Sequence, residues 1–95
     1  MKWIDIQKMI DKDQQLLVIT MEECGEVIQA CSKLLRKGLN VKNNKKQMYD
    51  LQDEVGDLYC MIQLLIENGW IDKYLLEGRT LYKKAKLKKW SDIDV

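Results

Sequence analysis

From residue 14 to 37, and again from 46 to 68, apolar side chains recur every three or four positions, and no proline interrupts them. That spacing gathers them on one side of an α-helix. A proline would break such a run by removing a backbone donor and clashing with the preceding turn. In the first run Leu17, Met21, Cys24, Ile28, Cys31 and Leu35 form the main stripe. Leu16, Val27 and Leu34 widen it, so this helix is expected to be covered on more than one side. In the second run the stripe is Met48, Leu51, Val55, Leu58, Ile62 and Leu65. Asp11 or Asp13 is the expected cap of the first run, and Gly38 and Asn68-Gly69 are the expected stops. Arg36 and Lys37 suit the negative end of the first helix dipole.

Shorter elements flank these two. Residues 1–12 carry Trp3, Ile4, Ile6, Met9 and Ile10 at roughly helical spacing and predict a short amphipathic helix. After Asp72, a plausible cap, Leu75, Leu76, Leu81, Tyr82, Ala85 and Leu87 predict a C-terminal helix, with Gly78 as its weak point. Residues 39–46 read as a polar, mobile loop and 91–95 as a frayed tail. No stretch has the alternation of a strand. The expected fold class is therefore all-α, a single domain over residues 1–95 whose two long helices, joined by a short loop, pack antiparallel.

Composition excludes several chemistries. The chain has 95 residues, no histidine and three cysteines, Cys24, Cys31 and Cys60, without CxxC spacing. A disulfide framework or zinc knuckle does not fit that pattern, and reduced, buried thiols are expected. Without histidine there is no Ser-His or Cys-His nucleophile and no Glu-x-x-His pair for a di-iron bundle. No signal peptide or membrane-spanning run is evident, so a cytoplasmic location is expected. Net charge is +1 but unevenly spread. Residues 79–90 hold Arg79, Lys83, Lys84, Lys86, Lys88 and Lys89 with no acid, and residues 50–57 hold Asp50, Asp53, Glu54 and Asp57 with no base.

The acids have a pattern of their own. Glu22, Glu23 and Glu26 sit inside the first apolar run, and Glu54 and Asp57 inside the second. Positions three and four apart share a helix face, so each long helix presents a carboxylate pair beside its apolar stripe. Such acids are ordinarily a solvated face, neutralised by a base at i±4. Here Glu22 faces Val18 and Glu26, and Glu26 faces Ala30. Gly25 and Gly56 lie within the clusters although mid-helix glycine costs about 1 kcal/mol against alanine, which points to close helix approach or substrate access. Carboxylates converging from two helices raise one another's pKa unless a cation joins them. An all-oxygen donor set suits Mg²⁺, with Mn²⁺ as a substitute, and Mg²⁺ characteristically binds substrate phosphates.

At these residues the chain resembles the MazG-like family of all-α nucleoside triphosphate pyrophosphohydrolases. The family signature E-E-x-x-E, a variable gap and E-x-x-D stands here as Glu22-Glu23-x-x-Glu26, 27 intervening residues, and Glu54-x-x-Asp57. The resemblance covers roughly residues 14 to 90. It implies Mg²⁺-dependent cleavage of a ribo- or deoxyribonucleoside triphosphate between the α and β phosphates, in the manner of nucleotide-pool housekeeping. It also implies Glu23, Glu26, Glu54 and Asp57 as metal ligands. Glu22 would support a second ion or orient the attacking water, and spacing alone does not separate Glu22 from Glu23 as the catalytic base. The resemblance further implies a homodimer or homotetramer whose four-helix core is completed by oligomerisation. More loosely, it assigns Lys83, Lys84, Lys86 and Tyr82 to the substrate phosphates. The competing readings are a non-catalytic nucleic-acid-binding helical module, suggested by the basic run but disfavoured by the near-neutral charge, and a regulatory bundle with a relic acidic motif.

Overall fold

The computed structural model describes residues 11–39 and 44–95. Among them it is all-helical, with three helices and no strand: α1 (Lys12–Lys37), α2 (Lys45–Glu67) and α3 (Lys73–Trp90). Residues 1–10 of the expected N-terminal helix, Trp3 included, and residues 40–43 of the connecting loop lie outside the described residues.

Each described helix end has a local chemical cause. Asp11, rather than Asp13, caps α1 through a reciprocal box. The Asp11 carboxylate accepts from the Gln14 N–H at 2.8 Å, and the Gln14 side-chain oxygen accepts from the Asp11 N–H at 3.0 Å. Gly38 ends α1 at φ 79°, where its N–H still reaches the Leu35 carbonyl. Six residues on, the Asn44 side chain is buried and donates to the Gly38 carbonyl at 2.6 Å, and its own carbonyl accepts from Met48 in the first turn of α2. The two described ends of the connection are thus tied together, which the polarity of residues 39–46 alone does not reveal. At the end of α2, Gly69 takes φ 80°, its N–H bonds the Ile66 carbonyl, and the Trp70 N–H bonds the Leu65 carbonyl. That pair of bonds is a Schellman motif. Asp72 caps α3 through the Leu75 N–H, α3 runs through Gly78 without a break, and Ser91 closes it with backbone and hydroxyl bonds to the Leu87 carbonyl.

The chain divides into two compact units, Met1–Leu64 and Leu65–Val95. In the first unit α1 is covered along Leu16, Thr20, Glu23, Val27, Ala30 and Leu34, and α2 along Gln47, Leu51, Glu54, Leu58 and Met61. Both rows step by three or four residues, as a helix face must. Ala30 and Met61 are the buried apolar side chains among the described residues. The main stripe expected to be core on α1 is instead open: Met21, Ile28 and Leu35 are 71%, 68% and 70% exposed. The physical reason is that α1 has two apolar rows roughly 100° apart, and among the described residues the row through Val27 and Ala30 is the covered one. Cys24 and Cys31 belong to the open row, and Cys60 is exposed on α2. The thiols are free but not buried, which corrects that expectation.

In the second unit α3 has no buried side chain, and Leu87 is half-buried. No helix among the described residues is long and apolar enough to cross a membrane.

Candidate functional site

The covered rows of α1 and α2 each contain one glutamate, and this places the site. Glu23 follows Leu16 and Thr20 along its row, and Glu54 follows Gln47 and Leu51 along the other. Both are half-buried among apolar neighbours on their own helix. Asp57, one turn beyond Glu54, is exposed. One carboxylate oxygen from each of Glu23, Glu54 and Asp57 lies within 4.8 Å of the others. Two helices far apart in sequence therefore bring three like charges together.

The electrostatic consequence is visible in the two covered members. Desolvation raises the Glu23 carboxyl above its ordinary pKa, and Asp57, Glu26 and Glu22 add to the rise in that order. Desolvation raises Glu54 as well, followed by Glu26, Asp57, Glu23 and Asp53. Among the described residues no cation pairs with this group. The ion pair that α2 does form, Lys46 to Asp50 at 3.1 Å, is an exposed contact one turn before Glu54.

The remaining acids divide by direction. Glu26 is exposed and outside the three-oxygen cluster, although near enough to raise both Glu23 and Glu54. Glu22 is exposed on the outer side, where it acts on Glu23 but is not among the charges that raise Glu54. Lys83, Lys84, Lys86 and Tyr82 are exposed on α3, in the second unit. Tyr82, Lys83 and Lys86 share one side of that helix, whereas Lys84 lies on the other at about 100° per residue.

The donor set can be tested against a divalent ion. Opposite ligands of an octahedral Mg²⁺ are about 4.2 Å apart, and those of Ca²⁺ up to about 5.2 Å. The three carboxylate oxygens lie within 4.8 Å of one another, a span of the same order. All three donors are hard oxygens, as Mg²⁺ or Mn²⁺ prefers. Gly25 and Gly56 do not serve close helix approach among the described residues, since a Cβ at either would meet nothing within 4 Å. They leave open the surface beside the carboxylates.

Pattern reading missed a neighbouring feature. Lys45, Met48, Tyr49 and Gln52 line a cleft at the start of α2, up to the turn that carries Glu54. Met48 belongs to the apolar stripe of α2, and no spacing rule marks Tyr49 or Gln52. Only their position one to two turns before an acidic pair could have drawn attention to them. Comparison of the chain with protein-family models, with curated proteins and with solved structures yields no match.

Proposed function

We propose that this chain is a Mg²⁺-dependent nucleoside triphosphate pyrophosphohydrolase that releases a nucleoside monophosphate and pyrophosphate. The observation that carries the reading is the meeting of Glu23, Glu54 and Asp57 across two helices, with no cation among the described residues to neutralise them. Glu23, Glu54 and Asp57 would hold the ion, with Glu26 beside them as a fourth carboxylate. A bound divalent ion neutralises phosphate charge and acidifies water. Glu22 or Glu23 then takes the proton as the water oxygen attacks the α phosphorus, and the bond to the β-phosphate oxygen breaks to release pyrophosphate. The cleft of Met48, Tyr49 and Gln52 offers an apolar wall and an amide for the base. By resemblance alone, Lys83, Lys84, Lys86 and Tyr82 are assigned to the phosphates.

A homodimer or homotetramer belongs to the same proposal. The open row of Met21, Ile28 and Leu35 supports it, because a short chain that covers so little of its apolar surface gains from self-association. Antiparallel pairing of α1 and α2, and a four-helix core completed by a second copy, are the arrangement we infer. The setting that fits is cytoplasmic nucleotide-pool housekeeping. The test is pyrophosphate release over a panel of canonical and modified ribo- and deoxyribonucleoside triphosphates in Mg²⁺. Turnover that Glu54→Gln abolishes is the expected result. Absence of turnover on every nucleotide, or turnover indifferent to that substitution, sinks the proposal.

A further inference from the structure

Helix α3 is exposed along nearly its whole length, and its charges are sorted by side. At about 100° per residue, Arg79, Tyr82, Lys83, Lys86, Lys89 and Trp90 fall on one arc of roughly 120°. Glu77, the one acid of α3, lies on the opposite side with Lys84 and Lys88. Three of the cations stand over the two rings. The Arg79 guanidinium carbon stands 4.2 Å from the centre of the Tyr82 ring, Lys86 Nζ 5.0 Å from the same ring, and Lys89 Nζ 5.4 Å from the Trp90 ring. Both rings are open, Tyr82 at 48% and Trp90 at 76% exposure. They stand about 12 Å apart along the axis, at 1.5 Å per residue.

We propose that this side of α3 binds single-stranded nucleic acid, with Arg79, Lys83, Lys86 and Lys89 on successive phosphates and Tyr82 and Trp90 stacking on bases. Surfaces that hold single strands combine a cationic track for the backbone with aromatic faces for unpaired bases, and both are present on this one side of α3. The cation–π contacts that now occupy the rings are weak at exposed sites, so the cations are free to exchange a ring for a phosphate. A duplex keeps its bases stacked inside and gives the rings nothing to meet. A membrane surface is served by a helix that gathers its apolar side chains on one face. In α3, Leu75, Leu76, Leu81 and Leu87 are instead scattered around the axis. An acidic peptide would use the cations and leave the rings idle.

The test is fluorescence anisotropy of a labelled oligo-dT or oligo-U strand of about ten nucleotides, within the span single-strand sites cover. The full chain is used, in EDTA, where no divalent ion can hold a phosphate on the carboxylates of α1 and α2. The outcome is therefore separate from that of the hydrolase assay. Between about 50 and 200 mM salt, log affinity should fall with log salt at a slope of about −3, or −0.7 for each of four phosphates. Trp90→Ala should weaken binding by about fivefold to a hundredfold with the slope unchanged. Lys89→Gln should lower the slope by about 0.7. Circular dichroism confirms that α3 remains helical in both. No binding at the low-salt end overturns the proposal. So does binding unaltered by both substitutions, tighter binding to a duplex of the same length, or a preference for phosphatidylserine-containing vesicles over the oligonucleotide.

Discussion

Glu23 and Glu54 make the stability of the fold depend on pH. Their carboxyls are raised above the usual 4.5 by desolvation and by neighbouring acids, so the folded, metal-free chain holds these protons more tightly than the unfolded chain does. Their favourable contribution is complete below that usual value and is lost as pH rises through the raised ones. In EDTA, the melting temperature of Glu54→Gln should therefore exceed that of the wild type by a margin that widens from about pH 4.5 to pH 7. A pH-independent offset between the two melting curves contradicts this account. The same substitution should abolish any stabilisation by Mg²⁺, which scanning with and without the ion checks. Residue spacing pairs Glu22 and Glu23 with Glu26 on one helix and Glu54 with Asp57 on the other, so Glu23, Glu54 and Asp57 are among its candidates. It could not separate them from Glu22 and Glu26, because that depends on which apolar row of α1 is covered. Leu17 and Met21 made one row as persuasive as Leu16 and Val27 made the other.

At the level of elements, glycine has opposite roles in α2 and in the turn after it. Gly56 is helical with open space where a Cβ would go, whereas Gly69 has φ 80° in the Schellman turn. Gly56→Ala should stabilise the chain by up to about 1 kcal/mol, and Gly69→Ala should cost about 1–2 kcal/mol, since an L side chain there meets the following carbonyl. Urea denaturation of the two variants measures both signs in one experiment. A loss on Gly56→Ala would mean that another surface packs over it. Local chemistry made the element ends readable: Asp11, Gly38, Gly69 and Asp72 each act where their residue type predicts. The anchoring of Asn44 to Gly38 was not readable, because an asparagine in a polar loop gives no sign of whether its amide is buried.

At the scale of the molecule, the decisive fact is how much apolar surface its own chain leaves open. Met21, Ile28 and Leu35 on α1, with Met48, Val55 and Tyr59 on α2, form a second apolar row on each helix, displaced from the covered one. The periodicity of the sequence announced both rows but carried no information on whether this chain or another covers each. The proposed second copy supplies that cover, and the free cysteines report on it. Cys24 and Cys31 lie in the open row of α1, while Cys60 lies off the corresponding row of α2. In an assembled protein a thiol reagent should modify Cys60 readily and Cys24 and Cys31 slowly, with the slow pair accelerating on dilution. Ile28→Glu tests the same surface by charge. On a solvated helix face it should change stability by no more than about 0.5 kcal/mol. Under a second copy it would desolvate a carboxylate, so light scattering should show loss of the oligomer and the melting temperature should fall and become independent of protein concentration. Equal reactivity of all three thiols, together with an unchanged mass and melting temperature for Ile28→Glu, would leave the open row solvated and remove the proposed assembly.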